Sequence, residues 1–166
     1  MKIAPAALYA LAYRHPLVGV LTLFSDGEAL TAVRFGAENI PFPQRPPPVL
    51  QQAARELDEY LAGQRRQFHV PLRPAAGSPF ARRVWQALRT LAYGELCSYA
   101  ELAERMKLTR AHARAVARAC AANPLPLLIP CHRILAAGQK LGGYNGGIAR
   151  KRALLALEGH DWAKDG

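Results

Sequence analysis

Residues 16–24 (PLVGVLTLF) and 28–35 (EALTAVRF) are two apolar, β-branched runs on either side of Ser25-Asp26-Gly27. Asp-Gly between two such runs predicts a β-hairpin, because glycine supplies the positive φ that a tight turn needs. The first half of the chain is therefore committed to an antiparallel sheet. A Pro-rich loop follows at 40–48 (IPFPQRPPP), which can be neither helix interior nor central strand. Val49, Leu50, Ala53, Leu57, Tyr60 and Leu61 then recur at helical spacing, predicting a helix over 49–62 that stops at Gly63. Phe68 to Leu72 reads as a short edge strand containing Pro71. Arg73-Pro74-Ala75-Ala76-Gly77 reads as a linker, so two domains are expected, 1–75 and 76–166.

The second half changes period. Ser78-Pro79 is an N-cap followed by proline at the first helical position, with a helix running to about Leu91. Gly94 breaks the pattern. Short helices are expected at 99–106 and 110–121, the spacing of a helix-turn-helix, and a last helix over 148–157. The fold class is α+β: a sheet-and-helix domain first, then a helical domain.

Charge is divided as unevenly as structure. Residues 1–75 carry 8 Lys/Arg against 6 Asp/Glu, whereas 76–166 carry 14 against 6. No acid occurs between Arg105 and Leu157. A solubilising surface normally mixes both signs, so this asymmetry predicts a polyanionic partner. Arg110, Arg114 and Arg118 are spaced to share one helix face, with small alanines between them that let a backbone approach a DNA groove. The three cysteines, Cys97, Cys120 and Cys131, lack CxxC spacing, which argues against a disulfide framework and a zinc site and points to a reducing, cytoplasmic compartment. No apolar run reaches the ~20 residues that span a bilayer, so no membrane association is expected. The N-terminal segment, with one Lys, an early Pro5 and Arg14-His15, reads as mature protein rather than a signal peptide.

The apolar run Leu125-Pro126-Leu127-Leu128-Ile129 ends in Pro130-Cys131-His132-Arg133. A thiol beside an imidazole and a guanidinium is a candidate nucleophile, since the thiolate is the reactive form and cations stabilise it. The same pattern suits an inert packed thiol.

The strings GELCSY (94–99), ARAV (113–116), NPLPLLIPCHRI (123–134), GGYNGG (142–147) and LLALEG (154–159) together resemble the O6-alkylguanine-DNA alkyltransferase family. The resemblance covers about residues 78–160. It implies an N-terminal domain of ribonuclease H-like layout and a winged-helix-like helix-turn-helix in the C-terminal domain. It implies a monomer that binds double-stranded DNA, flips out an O6-alkylguanine and moves the alkyl group onto its own cysteine once, without a cofactor. It leaves O4-alkylthymine open as a second substrate. By the same resemblance Cys131 is the alkyl acceptor, His132 deprotonates it through a water, and Glu158 orients His132. Tyr99 protonates the departing guanine, and Asn123 joins the recognition helix to the active-site turn. Arg114 enters the base stack, with Arg110, Arg118, Ala113 and Arg133 also expected on DNA. Tyr144, Gly146, Gly147, Ile134 and Pro126 are expected around the alkylguanine.

Two positions depart from the family pattern. Ala117 stands where glycine is usual and Asn145 where Ser or Gly is frequent, which points to a more crowded helix face and an altered pocket. A zinc site found in some relatives is not expected, because no cysteine precedes Cys97. Two other functions compete: a DNA-binding damage sensor without chemistry, and a cysteine hydrolase. The first leaves Cys131, His132 and Glu158 without a role, and the second leaves the acid-free stretch unexplained.

Overall fold

The computed structural model describes residues 9–38 and 45–161. The chain forms two compact units, Met1–Ala76 and Gly77–Gly166.

Unit 1 is a three-stranded antiparallel sheet in the order β1-β2-β3 (Tyr9–His15, Gly19–Ser25, Leu30–Phe35), packed against α1 (Pro48–Leu61). The expected hairpin is β2–β3. Asp26 caps its turn by accepting from the backbone N–H groups of Glu28 and Ala29 at 2.9 Å, and Gly27 takes φ 102°. β1 was not anticipated: Tyr9–His15 alternates too weakly to read as a strand, and its pairing with β2 fixes it. The expected edge strand at 68–72 is reduced to one parallel bridge, Leu30 with Leu72. Of the Pro-rich loop, 40–44 lie outside the described residues, and 45–47 lead into α1. The inward face of α1 includes Leu50, Ala53, Leu57 and Tyr60, all fully buried. Burying each leucine contributes about 1.5–3 kcal/mol. Glu56 shares that face because it accepts hydrogen bonds from the backbone N–H groups of His69 (2.7 Å) and Val70 (3.0 Å). Burial pushes its carboxyl up, but bonds from Gln52, Val70 and His69 outweigh burial and leave it below its ordinary value.

Unit 2 holds α2 (Pro79–Leu88), α3 (Tyr99–Arg105), α4 (Ala113–Ala121) and α5 (Ile148–Leu157). Two-residue strands β4 (Cys97–Ser98) and β5 (Ile134–Leu135) pair in parallel. Ser78 caps α2 by accepting from Ala81 N at 3.1 Å. Ala81, Val84, Trp85 and Leu88 form the buried face of α2 at helical spacing. That helix packs on α3 and α4, and the Trp85 indole donates to Ala119 O at 2.8 Å. Gly77 (φ 137°) lies on the Trp85 ring: a Cβ there would meet it at 2.3 Å, so no other residue fits.

The second helix of the pair differs from expectation. Arg110–His112 is a separate 3-10 turn, and the α-helix begins at Ala113. Arg110 therefore lies in a turn ahead of the helix that carries Arg114 and Arg118. No helix among the described residues is long and apolar enough to cross a membrane.

Candidate active site

Prolines and one asparagine shape the segment that carries Cys131. Asn123 Nδ2 donates to Ile129 O (2.9 Å), and Asn123 Oδ1 accepts from Leu125 N (3.0 Å), so one buried side chain closes the turn 123–129. Leu127, inside that turn, has φ 71°, a left-handed conformation that costs a leucine about 1–2 kcal/mol. Burial of its side chain, 1% exposed, helps hold it there. Pro130 (φ −80°, ψ 64°) is the centre of an inverse γ-turn, with Cys131 N donating to Ile129 O at 2.8 Å. The chain then enters a 3-10 turn, Cys131–Arg133, all three residues buried.

Behind this turn, His132 Nε2 lies 2.8 Å from Glu158 Oε2. Glu158 caps the C-terminus of α5 and has three further donors: Arg133 Nε (2.8 Å), Arg133 Nη2 (2.9 Å) and Gly94 N (3.0 Å). Burial pushes the Glu158 carboxyl up, yet the bonds and charges of His132 and Arg133 hold it far below the usual carboxylate range. Burial drives His132 below its ordinary value; Glu158 opposes this, while Arg133 and Lys151 add to it. Both directions favour a neutral imidazole beside an ionised carboxylate. Burial raises the Cys131 thiol, with a hydrogen bond from Asn123 and the charge of Lys151 pulling the other way without overcoming it.

The cation that acts on Cys131 is Lys151, not the adjacent Arg133. Lys151 is 1% exposed, and its ammonium donates to the carbonyls of Ile134, Leu141 and Gly143. Burial brings it down to about 8. Sequence reasoning missed it by counting it among surface cations. The signal was present in the spacing: Lys151, Leu154, Leu155 and Glu158 stand at i, i+3, i+4 and i+7, one inward face of α5.

Ser98 and Glu101 form a capping box that starts α3 at Tyr99. Tyr99 lines a cavity of about 530 Å³ together with Arg110, Ala113 and residues 135–139. Burial, and secondarily any charge on Cys120 or Cys131, raises the Tyr99 phenol above its ordinary value. Tyr144, Gly146, Gly147, Ile134 and Pro126, expected around the alkylguanine, are not among the residues that line this cavity. Pro126, Ile134 and Gly146 are buried, Tyr144 is half-buried, and exposed Gly147 (φ 87°) is the N-cap of α5. Asn145 donates to Ala121 O, tying the Gly-rich loop to the end of α4.

Arg114 and Arg118 are exposed, opposite the buried Val116, Ala119 and Cys120. Arg110 is also exposed but paired with Glu104, and Ala113 is half-buried. Arg133 corrects an expectation. It is 6% exposed and its third nitrogen, Nη1, donates to Leu91 O (2.9 Å), so the guanidinium is turned into the protein. Cys97 and Cys120 are buried free thiols, pushed up by burial to about 11 and about 12.

Comparison with known proteins gives a consistent picture. The sequence pattern of the 6-O-methylguanine DNA methyltransferase DNA binding domain matches residues 79–160, and that of its ribonuclease-like domain matches 8–74. A methylated-DNA–protein-cysteine methyltransferase of Haemophilus influenzae is 42% identical over 158 residues, 92% of this chain and 87% of that protein. One from Mycobacterium bovis is 43% identical over 146 residues, 85% and 87% of the two chains. The crystal structure of Mycobacterium tuberculosis OGT in complex with DNA superposes with a TM-score of 0.80 at 39% identity, covering 90% of this chain and 92% of that one.

Proposed function

This chain belongs to the 6-O-methylguanine DNA methyltransferase family, and from that premise we propose that it repairs duplex DNA by moving the alkyl group of O6-alkylguanine irreversibly onto its own Cys131. The activity is that of a methylated-DNA–protein-cysteine methyltransferase. The observation that carries the assignment to Cys131 is the buried 2.8 Å contact of His132 with Glu158, one residue from that thiol.

A modified base inside a duplex is out of reach, so the guanine is extruded first, at a cost that weakened pairing reduces. Arg114 fills the vacated stack. Arg118 and Arg110 meet phosphates, and Ala113 allows close approach of the helix. The Cys131 proton passes through a water to His132, and Glu158 stabilises the imidazolium. The sulfur electron pair forms the S–C bond as the C–O6 bond breaks. The electrons leave with the guanine, which takes a proton from the Tyr99 hydroxyl. Burial keeps that phenol protonated until it is needed. Lys151 stabilises the transient thiolate. Tyr144, Gly146, Gly147 and Pro126 surround the alkyl group, while the backbone at Cys131 and Ile134 reads the guanine edge. The thioether product cannot ionise, so each molecule acts once.

Residues 76–166 perform both steps, and 1–75 support them. The protein works as a monomer in the cytoplasm, where a reducing environment preserves the thiol. O4-alkylthymine offers the same alkyl–oxygen–ring linkage and is a second substrate to test. The decisive experiment is intact-mass analysis after incubation with an O6-methylguanine duplex. One methylene is gained on the Cys131 peptide, stopping at one equivalent, and Cys131→Ala abolishes the gain while retaining DNA binding. Turnover beyond one equivalent, or methylation elsewhere, refutes the reading.

A further inference from the structure

The proposed mechanism needs His132 unprotonated before reaction begins; burial drives the ring that way, Glu158 opposes it, and Arg133 and Lys151 add to burial. A buried carboxylate beside a buried imidazole draws a proton onto the ring, because the alternative is an uncompensated internal charge. Both side chains are fully buried. We propose that Arg133 is a positioning residue that neutralises Glu158 and so holds His132 in its uncharged form, leaving the imidazole able to accept the Cys131 proton. This inference rests on the alkyl-transfer reading and deepens it.

The geometry is that of a complete neutralising clamp. Arg133 Nε and Nη2 fork onto the two oxygens of Glu158 at 2.8 and 2.9 Å, the bidentate arrangement that a guanidinium matches best. Nη1 is fixed on Leu91 O at 2.9 Å, and the cation stands 5.8 Å from the Tyr93 ring centroid. Oε1 of Glu158 takes Gly94 N and Arg133 Nε; Oε2 takes Arg133 Nη2 and His132 Nε2. These donors engage both oxygens of an ionised carboxylate. The charge of Glu158 is thus already balanced without a proton on His132. A neutral ring needs its proton on Nε2 to donate to Glu158, which makes Nδ1 the basic nitrogen.

The charged neighbours divide in their effect on the ring. Lys151, on α5, opposes an imidazolium, as Arg133 does, whereas Glu158 favours one. Glu95, in the segment after α2, faces Arg133 and is lowered partly by its charge. Remove the guanidinium and Glu158 loses its bidentate counter-charge while its contact with His132 remains. The base would then be spent before the thiol needs it.

The test uses the full chain. The protonation of His132 is read from imidazole 15N shifts without DNA, and single-turnover methyl transfer is followed against pH. Wild type shows a neutral His132 at pH 7. Arg133→Met shows a protonated one, and its transfer rate drops at least about tenfold more between pH 8 and pH 6 than that of wild type. Arg133→Lys keeps the charge and a neutral ring. Arg133→Met combined with Glu158→Gln removes both charges and restores a neutral ring. A protonated ring in wild type, or an unchanged neutral ring in Arg133→Met, overturns the proposal. If Arg133→Met does not fold, Arg133→Gln, which keeps hydrogen-bond donors without the charge, decides: a protonated ring supports the proposal and a neutral ring overturns it. Failure of the underlying reading shows separately, as wild type that leaves Cys131 unmethylated whatever the state of His132.

Discussion

Helices α4 and α5 come from the same acid-free stretch, and they use their cations in opposite ways. In α4, Arg114 and Arg118 stand one turn apart on the exposed side, away from Val116, Ala119 and Cys120. In α5, Lys151 points inward with Leu154 and Leu155. An outward arginine keeps its hydration and can exchange counterions for phosphates. An inward lysine must find acceptors for its donors, and once it has them it becomes part of the framework. The contrast teaches that net charge alone does not locate a binding surface. The positions of neighbouring apolar residues decide which cations reach solvent.

The sharpest way to break the comparison is to remove the inward charge. Lys151→Met keeps the side-chain volume but deprives the Ile134, Leu141 and Gly143 carbonyls of their shared donor. Chemical denaturation should show a loss of about 1–3 kcal/mol, the cost of stranding buried acceptors. The pH dependence carries a sign. Folded Lys151 releases its proton at about 8, well below the ordinary ~10.4 of the unfolded chain, so its contribution to stability rises across that interval. The buried thiols act oppositely, because Cys97 and Cys120 hold their protons to about 11 and about 12 when folded. Wild-type stability between pH 8 and 10 is therefore a partial cancellation. Lys151→Met loses the rising part and falls more steeply; equal slopes would place the ammonium in solvent.

Glu158 supplies the acidic counterpart. Its folded carboxyl titrates below its unfolded value near ~4.3, so the stability it confers is complete above that pH and is lost as pH falls further. Urea midpoints measured from pH 7 to pH 3 should decline more in wild type than in Glu158→Gln. Parallel curves would mean that the carboxylate is not held by His132 and Arg133.

Much of this arrangement was legible in the sequence. The β2–β3 hairpin, α1, the Ser78-Pro79 start of α2 and the span of α5 follow from turn chemistry and apolar spacing, which are local. β1 and the β4–β5 pair were not legible, because their partners fix them: Tyr9–His15 pairs with β2, and Cys97 pairs with Ile134 far along the chain. The proximity of Glu158 to His132 came from the family resemblance and from its position after a long acid-free run. The inward turn of Arg133 was hidden, since its acceptors Leu91 and Glu158 lie 42 and 25 residues away. Adjacency to Cys131 in sequence suggested a shared role on DNA, and the 3-10 turn sends the guanidinium elsewhere.

The outward cations give smaller effects, and they are not equal. Arg118→Ala should reduce the dependence of log Kd on log salt by about 0.9, the share of one phosphate contact. Stability should stay within about 0.5 kcal/mol of wild type, because the residue is exposed. Arg110→Ala should change the slope less. Arg110 sits in the 3-10 turn and already pairs with Glu104, both side chains more than half exposed. An exposed pair of this kind is worth about 0–1 kcal/mol, so DNA can break it, but part of each phosphate contact is then offset by the partner given up. Glu104→Gln should accordingly tighten DNA binding, by freeing Arg110 and removing a negative charge near the phosphates, and Arg110→Ala in that background should lower the slope as fully as Arg118→Ala does. Fluorescence anisotropy across a salt series measures the four variants against wild type. If Arg110→Ala and Arg118→Ala reduce the slope equally in the presence of Glu104, the pair does not restrain Arg110 and the two arginines form one uniform surface.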